Sequence, residues 1–166
     1  MAMEGEERIS CGETAPHLPD NHGLCRRFID DPNHLTWEGD RPIPHPMSDR
    51  AINMEKGRAG LSTSWREHIE RDGLEVSAVL GDDSNYTLVG QIQVGVARGI
   101  GMNVYHSPEG SHPIDCAHSS IDWPHGSEAE NSDRPPKSER KRLKNELARS
   151  FEFVHGNVKS TKPFGG

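Results

Sequence analysis

Apolar and polar positions are most regularly ordered in "YTLVGQIQVGVARGIGMNVYHSP", from Tyr86 to Pro108, where two periods overlap. Ile92, Val94 and Val96 recur every second residue, as in a half-buried strand, whereas Leu88, Ile92, Val96 and Ile100 recur as on one face of a helix. A strand near 86–91, a helix over about 92–99 and a strand near 102–106 reconcile the two, with Gly99 and Gly101 marking the passage from helix to strand. Upstream, "LEVSAVL" puts Leu74, Val76, Ala78 and Leu80 on one side and predicts a further strand, broken by "GDDSN". "GLSTSWREHIERDG" predicts a strand end at Leu61 and Thr63, then a helix over roughly 65–72, capped by Ser64 and stopped by Gly73. In "DCAHSSID" the residues Cys116, His118, Ser120 and Asp122 alternate with Ala117, Ser119 and Ile121, a weakly patterned strand.

Two segments are read from their ends and breakers. "KSERKRLKNELARSFEFV" sets Leu143, Leu147, Phe151 and Val154 on one helical stripe behind a cap at Ser138, and that stripe is expected to pack on the sheet. Pro32, Pro42, Pro44 and Pro46 each fix a backbone angle and remove a donor, which predicts a long irregular surface loop. "GLCRRFI" before them is apolar enough for the core and too short to separate strand from helical turn.

Composition sets the scale of the domain. A chain of 166 residues holds one core, and with 31% hydrophobic residues a substantial part of it falls in loops and tails. The expected fold is α+β: a small mixed sheet covered by two or three helices, with long polar loops and tails. It forms one domain over 23–155, after a disordered tail at 1–22 and before a frayed tail at 156–166, with a flexible linker at 124–136 ahead of the C-terminal helix.

From about residue 60 to 150 the pattern resembles a group of small bacterial proteins without an assigned activity. The resemblance is carried by Leu61 and Ser62, Gly99, Gly101, Val104, Pro108, Ala117, His118 and Ile121. In that group a glycine-flanked helix end leads into a strand, a proline, a short loop and an Ala-His strand, with a basic helix near the C-terminus. "EGSHPIDC" and the acidic segment after Trp123 depart from it. It implies an architecture and no reaction.

Charge narrows the partners. A net charge of −7 gives no general attraction to nucleic acid or anionic lipid, so nucleic acid is not the expected partner. No apolar run is long enough to cross a membrane, and "MAMEGEERIS" lacks the apolar core of a signal peptide. A cytoplasmic protein with reduced thiols at Cys11, Cys25 and Cys116 is therefore expected, acting on a protein partner or a small-molecule ligand. Lys137, Arg140, Lys141, Arg142, Lys144 and Arg149 make the C-terminal helix basic, a phosphate-engaging face or, more simply, a solvated one.

Three groups of residues carry candidate chemistry. The order of Arg26 or Arg27, Ser62 to Ser64, and Glu128 with Glu130 is similar to that of ADP-ribosyltransferases of the arginine, Ser-Thr-Ser, Glu-x-Glu type. In that type an early strand arginine holds NAD, the serine strand braces the pocket, and a glutamate stabilises the oxocarbenium charge; Ser62 and Ser64 are then the cofactor-binding candidates. The simpler reading of "GLSTSW" is a strand end followed by a cap, and Glu128 and Glu130 stand in a segment of linker composition. Metal-capable residues cluster twice, at Cys11, His17, His22 and Cys25 and at His106, His112, Cys116, His118 and His125, without the compact spacing of structural zinc sites. His118 is also a candidate base, or a strand histidine bonded to a carbonyl. The leading expectation is a small soluble accessory or ligand-binding module with no cofactor; the alternative is an enzyme that consumes NAD, such as an ADP-ribosyltransferase.

Overall fold

The alternating segment around Leu88 becomes the fifth strand of a six-stranded sheet, between its first strand and one edge. The computed structural model describes residues 11–53, 60–110, 113–124 and 135–160. In chain order the strands are β1 (Gly23–Phe28), β2 (Leu35–Glu38), β3 (Arg41–Pro44), β4 (Leu61–Trp65), β5 (Leu88–Gln93), β6 (Asn103–His106), β7 (His118–Asp122) and β8 (Glu152–His155). The helices are α1 (Asp49–Asn53), α2 (Arg66–Arg71), α3 (Val94–Ile100), α4 (Pro113–Cys116) and α5 (Lys137–Arg149). The main sheet runs β6-β7-β4-β1-β5-β8 with every pairing antiparallel, and β2 and β3 form a separate hairpin. The fold is α+β.

Strand, helix and strand follow one another over 88–106 as the overlapping periods predict, and Gly101, at φ 118°, closes α3 in the left-handed conformation that glycine adopts without strain. The undecided "GLCRRFI" is a strand: β1 pairs with β5 along its whole length, from Gly23↔Gln93 to Phe28↔Leu88. Ala97 of α3, and Leu143, Leu147 and Ala148 of α5, are buried with Leu24, Leu88, Ile92 and Trp123 in one cluster. Each leucine or isoleucine among them contributes about 1.5–3 kcal/mol on leaving water, and each alanine about 0.8 kcal/mol. Phe151, also fully buried, meets Phe28 edge-on with ring centres 5.4 Å apart.

The structure corrects several expectations. "LEVSAVL" is a 3-10 helix over Val76–Leu80 and not a strand; its residues 76–80 are only half-buried, so alternation there reflects no sheet face. The proline-rich loop contains the β2–β3 hairpin, in which Pro42 and Pro44 face Trp37 and Leu35. His45 N–H donates to the His34 carbonyl at 2.9 Å, so the inward-facing donors fall on odd-numbered residues and the prolines occupy positions that need none. Ser64 lies inside β4 and caps nothing; Trp65 takes the capping position of α2 with no side-chain hydrogen bond. In "DCAHSSID" the strand starts only at His118, after the short helix α4. The C-terminal helix stops at Arg149, so Phe151 follows its end and Val154 lies 37% exposed in β8 instead of extending the stripe.

Both tails hold structure where they are described. Leu18 is fully buried, its carbonyl accepts from Arg98 at 2.6 Å, and Cys11 is disulfide-bonded to Cys116, so the segment 11–22 is part of the domain. That bond also replaces the expected reduced thiols at Cys11 and Cys116. Beyond β8, the Lys159 and Ser160 N–H groups donate to Asp30, which ties down 156–160. The linker expected at 124–136 lies, from 125 to 134, outside the described residues. Among the described residues no helix is long and apolar enough to cross a membrane.

Candidate functional site

The sheet opens in its middle. β1 stays on β5 for six residue pairs and β4 stays on β7 from Leu61 to Ser64, but β1 and β4 pair only at Leu24↔Trp65 and Cys25↔Ser64. Beyond Cys25 the two strands part. Arg26 fills the start of the gap: its Nη1 donates to the Ser62 carbonyl at 2.8 Å, where a ladder bond from β1 would otherwise reach. The remaining wedge is a cleft of about 130 Å³ bounded by Cys25, Arg26, Arg27, Ser62, Ser64 and His118, with Thr63 and Val79 completing its wall.

The two arginines dominate its electrostatics. Arg27 Nη1 donates to the Leu80 carbonyl at 3.0 Å, and its guanidinium lies 3.9 Å above the Tyr86 ring. Among the described residues neither arginine has a carboxylate partner. Burial pulls the Arg26 pKa below its ordinary value; Tyr86 opposes this and the Arg27 charge adds to it. Both side chains also line a second cleft of about 310 Å³, walled by Tyr86, His34, Pro46 and Met47. A ring-sized cleft and a larger one therefore meet at two positive charges.

On the opposite wall, His118 is held from both sides. Its Nδ1 lies 2.8 Å from the Ser107 carbonyl and 2.9 Å from the Ser107 hydroxyl, which itself contacts the Ser120 hydroxyl at 2.7 Å. A carbonyl only accepts, so Nδ1 carries a proton and Nε2 is the nitrogen turned to the cleft. There it meets Ser62 Oγ at 3.1 Å and Glu109 Oε1 at 2.9 Å. This is not the relay of a serine hydrolase, which sets serine and acid on opposite ring nitrogens. Cys25 is an inert wall: burial, above the lowering effect of Arg66, pushes its thiol up to about 12.

Of the residues singled out by sequence, Arg26, Arg27, Ser62, Ser64 and His118 share this cleft. Glu128 and Glu130 lie outside the described residues. Glu109 and Ser107, on the connection between β6 and α4, carry no pattern in the sequence; the β6–β7 hairpin pairing, which sets His106 beside Ser119, returns their loop to His118. Among the described residues no group of side chains that could hold a metal assembles: Cys11 and Cys116 are bonded to each other, and His22 Nδ1 accepts from Trp65 Nε1 at 2.9 Å, while His112 and His125 lie outside the described residues. On α5, Arg140 and Lys144 pair with Asp49, Arg142 with Glu139 and Glu146, and Arg149 with Glu38, as on a solvated ion-paired face. No family model, curated protein or solved structure matches the chain.

Proposed function

We propose that the cleft between β1 and β4 binds NAD and that the protein cleaves the nicotinamide–ribose bond to transfer ADP-ribose. One observation carries this: two arginines without a carboxylate partner among the described residues stand where a ring-sized cleft meets a larger one. A half-buried guanidinium without a counter-charge is costly and is offset by an anion that brings oxygen acceptors. A cavity of about 150 Å³ takes one six-membered ring, so the cleft of about 130 Å³ suits a nicotinamide and not a whole dinucleotide. The diphosphate then lies on Arg26 and Arg27, and the adenosine enters the larger cleft beside Tyr86.

The chemistry follows from charge. As the C–N bond breaks, its electron pair goes to the ring nitrogen, neutral nicotinamide leaves, and positive charge builds on the ribose carbon. Glu109 supplies the facing negative charge, taking the part that sequence order gives to Glu128 or Glu130, and accepts the proton lost by the attacking hydroxyl or water. Ser62 and Ser64 brace the ring, and His118 Nε2 orients Glu109. The contact of Glu109 with His118 also supports a simpler reading, a binding module whose acid is occupied.

Titration calorimetry with NAD, followed by chromatographic assay of nicotinamide release, separates these. Binding with release supports the transferase, binding without release leaves the module, and no binding at millimolar NAD overturns both.

A further inference from the structure

We infer that the disulfide between Cys11 and Cys116 fixes Glu109 at the cleft, so that a dithiol reductant switches the site; this rests on the NAD reading above. The chain leaves β6 at His106 and returns to β7 at His118, and Glu109 lies on the outgoing leg of that loop. The legs are tied by Glu109 N–H donating to the Asp115 carbonyl at 2.9 Å. Cys116 stands at the foot of the return leg, two residues before His118, and its carbonyl lies 2.8 Å from His106 Nε2. The other nitrogen of His106 accepts from Ala15 N–H at 2.9 Å. The strap from Cys11 to Leu18 thus meets the foot of the loop twice, once through the disulfide and once through Ala15, before entering the core at Leu18.

The two sulfurs differ in access. Cys116 is 2% exposed, whereas Cys11 is half-buried beside exposed Gly12, Glu13 and Thr14. A dithiol therefore attacks at the Cys11 sulfur, and Cys116 leaves as a thiolate that takes up a proton. A second thiol of the reductant then resolves the mixed disulfide: two electrons and two protons pass to the protein and the reductant closes to its own disulfide. With the disulfide cut, the return leg loses its covalent anchor to the strap, and Asp115, which holds Glu109 through its carbonyl, is the neighbour of the freed Cys116.

The test measures NAD affinity and amide exchange of the full chain before and after dithiothreitol, beside Cys11→Ala. Expected is a fall in NAD affinity of about fivefold or more on reduction, the range of an ordinary coupling between sites. Cys11→Ala should match the reduced parent and not respond to reductant. In the ligand-free protein, exchange at the Glu109 amide should rise about tenfold or more on reduction, while amides of β1 and β5 stay unchanged. Equal affinity and equal exchange in both redox states overturn the inference, as does a loss of protection that extends through β1 and β5, because that is general destabilisation. Should neither form bind NAD, the functional reading fails while the exchange comparison still decides the coupling.

Discussion

Replacing Arg26 by methionine separates a ligand-binding charge from a structural strut. The substitution removes one charge-assisted hydrogen bond, Arg26 Nη1 to the Ser62 carbonyl at 2.8 Å, about 1.5–3 kcal/mol of stabilisation for a bond of this kind. It also removes a cation whose pKa is lowered by burial and which no described carboxylate compensates, and that returns a desolvation cost of a few kcal/mol. The two effects oppose each other at similar size while the methionine stem keeps the apolar contacts, so Arg26→Met should change unfolding free energy by less than about 1 kcal/mol. Binding has no such compensation. Loss of one charged contact to a diphosphate, at about 1.4 kcal/mol per tenfold, should weaken NAD by about 10- to 100-fold. Urea denaturation with linear extrapolation gives the first quantity and titration calorimetry the second. A stability loss above about 3 kcal/mol with unchanged slope, or an affinity within twofold of the parent, would refute the reasoning.

Ser62→Ala should leave the melting temperature nearly unchanged but weaken NAD binding, and Ser64→Ala, having no capping duty, should miss the loss of about 1 kcal/mol that removal of a helix cap brings; differential scanning calorimetry of both variants decides. Gly90→Ala should destabilise by about 1–3 kcal/mol in urea unfolding, since the added Cβ would stand 2.7 Å from Phe28 Cε2 and 3.3 Å from Phe151 Cδ1. The Cys25 thiol, pushed up to about 12, should resist iodoacetamide at pH 8 until the protein unfolds, as mass spectrometry of native and urea-treated samples will show. Burial alone would raise the Asp49 carboxyl, but hydrogen bonds from Lys144 and Arg140 outweigh it and hold the pKa below the ordinary value. Its contribution is therefore complete above about pH 4 and lost as pH falls through the lowered folded value; Asp49→Asn should flatten acid unfolding below pH 4.

What the sequence made legible was local. The strand, helix and strand over 88–106 could be read because Ile92 and Val94 meet sheet spacing and then helix spacing, and Gly101 supplies the stop. The same period misleads in "LEVSAVL", because alternation reports a sheet face only where a strand pairs alongside, and Val76–Leu80 pairs with no described strand. Arg26, Ser62 and His118 were visible as residue types, but their meeting depends on pairings between segments as far apart as Ser64 and His118, which no local pattern encodes. Glu109 was invisible for the same reason: a glutamate in a polar loop gains a role only when that loop folds back on β7.

The opening between β1 and β4 also bears on how the protein is made. It divides the sheet into two plates, β6-β7-β4 and β1-β5-β8, whose strands interleave along the chain. No contiguous stretch of sequence holds one plate without strands of the other, and the second is complete only when Glu152–His155 has been added. The walls of the gap are thus made on the ribosome well before β8, the edge strand that braces one of them. A chain halted before Phe151 carries Arg26, Ser62 and His118 but not the ring that packs against Phe28 under β1, so a braced cleft should form only once Phe151 and β8 have been made.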